Sequence, residues 1–272
     1  MSRLRLTKIT SPSTPPASTG EIYYDTAGAG YGTPAGLAVK DENGVIAMLG
    51  HFTALDYRLL SVVIFVSGTT YTPTNGTRAI LVECQGGGGG GGGCATAATN
   101  SAAAGGGSGG AYAVGWITGI TTTKAMVIGL GGAGGVAGAN NGSVGADTTF
   151  DVTTVVAKGG LGGIADTVAV GPRIGGLGAA GIGSGSSTGN VGKTMSQAGT
   201  AGIVLAAAQA VSGDGGGGYM GMGKGQGIKT QGAGSNGGNY GGGGAGGCIL
   251  SGGASVAGGN GGQGFIRVWE FA

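Results

Sequence analysis

Charge is the scarcest property of this sequence. Of its 272 residues only 9% are Asp, Glu, Lys or Arg, and the net charge is +2. That leaves no basic footprint for nucleic acid or for an anionic membrane surface. Disordered chains are normally charged and poor in apolar residues, whereas 40% of these residues are hydrophobic. Histidine occurs once, as His51, so no Ser-His-Asp or Cys-His site can be assembled beyond that position. Proline occurs six times, too seldom for a collagen-like chain. Aromatic residues make up 6%, which predicts a thin side-chain core and an order carried largely by backbone hydrogen bonds. No apolar run is long enough for a membrane helix, residues 59–66 being too short. Residues 1–7 alternate like a strand and lack a signal-peptide core.

Cysteine is also rare. Cys84 and Cys94 bracket a glycine run that, if extended, holds them beyond disulfide reach, and no histidine stands near them to complete a zinc site. They read, with Cys248, as small buried thiols.

What is abundant is glycine, 73 residues of it, with eight in a row at 86–93. Each glycine costs roughly 0.5–1 kcal/mol against alanine in a regular element, so the run is either disordered or packed where no side chain fits. The same texture, interleaved with apolar residues, continues to position 264 and closes on Phe265-Ile266-Arg267-Val268-Trp269-Glu270-Phe271. A flexible linker does not end that way. The form open to an ordered run is polyproline-II geometry, with three residues per turn and no internal hydrogen bonds. Every N–H and C=O then points sideways and needs a partner. Gly129, Gly132, Gly135 and Gly138 recur at that period, as do Gly238, Gly241, Gly244 and Gly247, and Gly252 shares its phase with Gly258, Gly261 and Gly264.

The expected fold is therefore mainly β, in two parts. Residues 1–67 hold most of the prolines and form a small N-terminal β module, with strands at 21–24, 36–40 and 45–49 and a hairpin turn at Asn43-Gly44. Residues 62–66 read as a further strand of that module. Residues 68–272 form a β framework, with strands at 78–85, 111–120, 124–130, 148–158 and 265–271, that carries packed polyglycine-II helices. Segments of ordinary composition, at 94–104, 136–146, 164–174, 184–198, 203–214, 228–236 and 248–256, become loops at the far end.

Chemical motifs fail one by one. Gly192-Lys193-Thr194 ends like a phosphate loop, but Ser187 stands where its first glycine belongs. Asp147 with Asp151, or Glu83 with Glu270, would be a carboxylate pair on framework strands rather than in a cleft. The acceptor patterns at Asn75 and Asn141 have no secretory context. No enzymatic activity, cofactor or metal is expected.

The junctions Ala79-Ile80-Leu81-Val82-Glu83-Cys84-Gln85-Gly86, Gly109-Gly110-Ala111-Tyr112-Ala113, Val127-Ile128-Gly129-Leu130-Gly131-Gly132 and Gly264-Phe265-Ile266-Arg267-Val268-Trp269 resemble the glycine-rich domain of bacteriophage tail fibres. The texture is similar to that of the tip adhesins of T-even-like phages. Gly20-Glu21-Ile22-Tyr23-Tyr24-Asp25 and Val39-Lys40-Asp41-Glu42-Asn43-Gly44 are similar to segments near the start of phage fibre proteins. The resemblance implies a polyglycine sandwich presenting loops to a bacterial surface receptor, protein or polysaccharide. Residues 1–67 would then attach to other tail or baseplate proteins, and with their few short apolar strands they imply a homotrimer. Neither nucleic acid nor membrane insertion is implied, and the place is the virion tail, outside the cell when working. Asn100, Ile164, Asp166 and Val168 are the candidate receptor contacts in the first loops, followed by Arg173, Lys193, Met195 and Gln209. The alternative is a structural tail or collar component without receptor contact. An ice-binding glycine-helix protein is a third reading, disfavoured by irregular loops.

Overall fold

The computed structural model describes residues 21–25, 36–40, 46–51, 58–95, 99–167, 171–181, 187–219 and 223–272. Two compact units divide the chain, Met1–Arg58 and Leu59–Ala272. In the first, β1 (Glu21–Asp25), β2 (Gly36–Lys40) and β3 (Ile46–His51) make one antiparallel sheet in that order. These are the three strands expected there; the Asn43-Gly44 turn lies outside the described residues.

The second unit starts earlier than composition indicated. Its first strand, β4 (Leu59–Phe65), pairs along β17 (Phe265–Phe271), so the apolar stretch assigned to the first module is an edge of the framework. Between them lie β5 (Thr70–Tyr71), β6 (Ala79–Gln85), β7 (Ala102–Ala103), β8 (Tyr112–Thr118), β9 (Lys124–Val127), β10 (Thr148–Phe150) and β11 (Val155–Ala157). Then follow β12 (Arg173–Ile174), β13 (Gly192–Thr194), β14 (Ile203–Ala206), β15 (Gln209–Val211) and β16 (Cys248–Ile249). No helix occurs among the described residues.

The framework is two sheets face to face, in the orders β13-β8-β6-β17-β4 and β11-β10-β9-β5. Alternation on the long strands sends Ile80, Val82, Ile266 and Val268 inward against Tyr71, Met126, Phe150 and Val155. The single strand expected across 148–158 is a hairpin instead. Asp151 and Val152 take φ of 51° and 61° in its turn, which reverses the chain.

Above the framework stand the glycine runs, and their hydrogen bonds have a period of three. Gly86, Gly89 and Gly92 donate to Ala111, Ser108 and Gly105; Gly87, Gly90 and Gly93 donate to Ala146, Ser143 and Asn140; Gly88 and Gly91 donate to Gly262 and Gly259. Run 86–93 thus gives its N–H groups to three neighbours, 105–111, 140–146 and 257–264. Its carbonyls accept from three more: from Gly132 and Gly135, from Gly160 and Gly163, and from Gly244 and Gly247. Six neighbours around one three-fold helix is hexagonal packing, and it satisfies the orphan backbone groups that the sequence required. Runs 105–110 and 241–247 are enclosed in the same way, and all three central runs are buried. Gly138, expected to continue the period of run 129–135, leaves it at φ 117° to turn the chain.

Around the perimeter a run has solvent on one side, and polar side chains replace the missing neighbour. Gly134 N donates to Asn260 Oδ1, Ala165 N to Asn141 Oδ1, Gly159 N to Asp147 Oδ1 and Gly217 N to Gln197 Oε1. Asp214 does the same for Gly227, which with Lys224 nearby holds its carboxyl below the usual range.

Candidate functional site

Successive runs alternate in direction, so segments between them fall by turns at two ends of the slab. At the framework end the chain reverses through β13, through Tyr219 and through Tyr240. Tyr219 stacks on Tyr112 at 4.1 Å, and Tyr240 meets Phe265 edge-on at 4.9 Å. At the distal end lie 94–95 with 99–104, 136–141, 166–167 with 171–174, 203–211, 228–232 and 248–256. Bridges tie these together: Cys94 with Val256 and with Asp166, and Gly232 with Cys248. β7 pairs with β16, and β12, β14 and β15 form a small sheet. Cys94, Ala102, Ala104 and Ile249 pack into one distal cluster, and Ala103, Val204, Ala210 and Cys248 into another. The loops are therefore a knitted cap rather than free ends.

Within that cap Asp166 is buried and Arg173 half-buried, and the two pair with each other. Asp166 is 7% exposed and accepts the Ala103 N–H at 2.8 Å and Arg173 Nη1 at 2.8 Å. Arg173 Nη2 reaches the Thr167 carbonyl at 2.6 Å. The pair ties Asp166, Thr167 and Arg173 to β7. Ile164 is exposed, but it projects sideways from run 159–165 rather than from a loop tip.

Lys193 and Met195 are exposed at the framework end. Lys193 pairs with Ala113 in the framework sheet, so the described residues 187–195 are not a distal loop. Val168 lies outside the described residues. Asn100 and Gln209 remain at the distal surface, half-buried and exposed respectively. Sequence reasoning passed over others there: Thr99, Lys229, Thr230 and Gln231 are exposed, as are Ile203 and Leu205. The signal that finds them is run parity, because only every second segment can be distal. The cap surface is then hydroxyls, amides and aliphatic side chains, with Lys229 as an exposed cation.

Two framework carboxylates, Glu83 and Glu270, are engaged by neighbouring donors. Glu83 lies among Arg267, Trp269 and Tyr112: Arg267 Nη2 donates to Oε1 at 2.8 Å and Trp269 Nε1 to Oε2 at 2.7 Å, while Arg267 Nε and the Tyr112 hydroxyl also donate. Burial alone would raise this carboxyl, but those donors together hold it below its ordinary value. Glu270 points to the other face, where burial again opposes the bonds from Thr74 and Tyr71 and the bonds prevail. The two carboxylates share no cleft. Burial lifts the Cys94 thiol to about 12 and that of Cys248 to about 11, and raises Cys84 as well. All three are protonated and poor nucleophiles at neutral pH. Among the described residues no three His, Cys, Asp or Glu side chains gather closely enough to hold a metal.

A family model described as a glycine-rich domain matches residues 65–269, and the chain belongs to that family. Comparison with curated proteins gives no match.

Proposed function

We propose that this chain is a bacteriophage tail-fibre protein whose glycine-rich unit binds a receptor on the bacterial surface through the distal cap. The observation that carries the reading is the separation of tasks along the runs. One end closes on a β sandwich whose buried carboxylates Glu83 and Glu270 are held by donors of the framework itself. The other gathers six loops into a single surface of hydroxyl, amide and aliphatic groups. A glycine helix shows a partner no side chain, so recognition falls to the loops, and a rigid slab beneath them fixes their positions.

In this reading Asn100 and Gln209, with Thr99, Lys229 and Thr230, touch the receptor. Asp166 and Arg173 position the cap without touching it. The first unit attaches the protein to the tail and holds the homotrimer. The site performs no covalent chemistry. A near-neutral cap suits a partner bound by directional hydrogen bonds and apolar contact rather than by charge.

The test is loop exchange. Segments 203–211 and 228–232 are replaced by polar sequences of equal length, with 190–195 replaced as a control at the opposite end. Binding of purified protein to bacterial cells and the melting temperature are then measured. Loss of binding with the distal replacements alone, at unchanged melting, is expected. Undiminished binding by all three well-folded variants would sink the receptor reading and leave a structural tail component in its place.

A further inference from the structure

The perimeter of the slab is not chemically uniform. Runs 142–146, 159–165 and 175–181 lie side by side, joined by Gly142 and Gly145 donating to Gly163 and Gly160 and by Ile164 donating to Leu177. Central runs 86–93 and 105–110 back all three. Every third residue of each run turns outward, and on this face those residues are apolar. Val144 is 59% exposed, Leu161 37%, Ile164 42%, Ile174 66% and Leu177 59%. Round the adjoining corner Leu130 and Val136 are more exposed still. Two ion pairs bound the face, Lys158 with Asp147 towards the framework and Arg173 with Asp166 towards the cap, and no charged side chain lies between them among the described residues. The other faces carry Gln197, Thr200, Asp214, Lys224, Asn236 and Asn260 at the equivalent outward positions.

We infer that this apolar face is where the glycine-rich units of neighbouring copies of this chain meet. The exposed apolar area is on the order of several hundred Å², as large as the largest patch expected on a monomer, and of the order each partner supplies to a standard interface. The shape is self-complementary. Side chains stand about 9 Å apart along each run, with glycine furrows between them, so two such faces interdigitate. A copy of the same face supplies a partner without charge for a surface without charge. A membrane surface fits less well, because the basic groups at the margins are already paired. The inference is independent of the receptor reading, which concerns the distal cap.

Cys84, Cys94 and Cys248 are buried, so a thiol introduced on the face is the accessible one. The full-length chain carrying Leu177→Cys, and separately Thr200→Cys on a polar face, is treated with a mild oxidant at micromolar concentration. Leu177→Cys is expected to form covalent dimers and Thr200→Cys to stay uncrosslinked, whatever residues 1–58 contribute to assembly. Leu161→Ser with Leu177→Ser should weaken association by about tenfold in light scattering without lowering the melting temperature. An uncrosslinked Leu177→Cys protein overturns the inference, as does a wild-type monomer with this face free. Thermal hysteresis by such a monomer would assign the face to ice instead. Loss of cell binding with intact cross-linking would bear on the receptor reading alone.

Discussion

A methyl group on Gly89 would come to rest 1.9 Å from the carbonyl oxygen of Leu161. That carbonyl cannot retreat, because it accepts the Ser108 N–H at 2.9 Å within the same lattice. Gly89→Ala should therefore cost several kcal/mol, and Gly89→Val more, through overpacking against backbone on every side. Gly192→Ala is the control: nothing lies within 4 Å of its added carbon. Denaturant unfolding of the three variants checks this, and equal stabilities would contradict the packing.

The same lattice dictates exchange rates. Amides 86–93 are paired and buried, so they should exchange only on global unfolding, slower than free-peptide rates by several orders of magnitude. Hydrogen exchange followed by mass spectrometry of that segment measures it directly.

Val152 is a β-branched residue at φ 61° and is 66% exposed. Its side chain gains little from packing and strains the turn by roughly 1–2 kcal/mol. Val152→Gly should raise the melting temperature, because glycine adopts that conformation without the Cβ clash.

Glu83 supplies a pH signature. Its carboxyl is held below the ordinary value of 4.5, so it stabilises the fold above that pH and loses the contribution as pH falls through its folded value. Glu83→Gln should cost about 1.5–3 kcal/mol at neutral pH, since Arg267 loses a charged acceptor. The variant's stability should also fall less steeply than wild type below pH 4.5. Parallel acid-unfolding curves for the two proteins would refute it.

Asp166 separates positioning from contact. Asp166→Ala should lower stability by about 1.5–3 kcal/mol, by stranding Arg173 and the Ala103 N–H. Under the receptor reading, Gln209→Ala should weaken cell binding without changing stability. Melting and binding measured on both variants check the assignment.

The glycine period by itself determined that the runs are ordered, extended and packed backbone to backbone, because only such a lattice partners every peptide group of a chain without side chains. The apolar and β-branched runs at 79–85 and 265–271 likewise marked framework strands, but not which faces turn inward. The sequence could not say which runs are neighbours. Gly89 has no side chain with which to choose between Leu161 and any other carbonyl at the same height. Tertiary packing made that choice, and with it sent Gly192–Thr194 to the framework and paired Asp166 with Arg173 inside the cap. Outward positions such as Val144, Leu161 and Leu177 became one surface only when three separate runs came side by side.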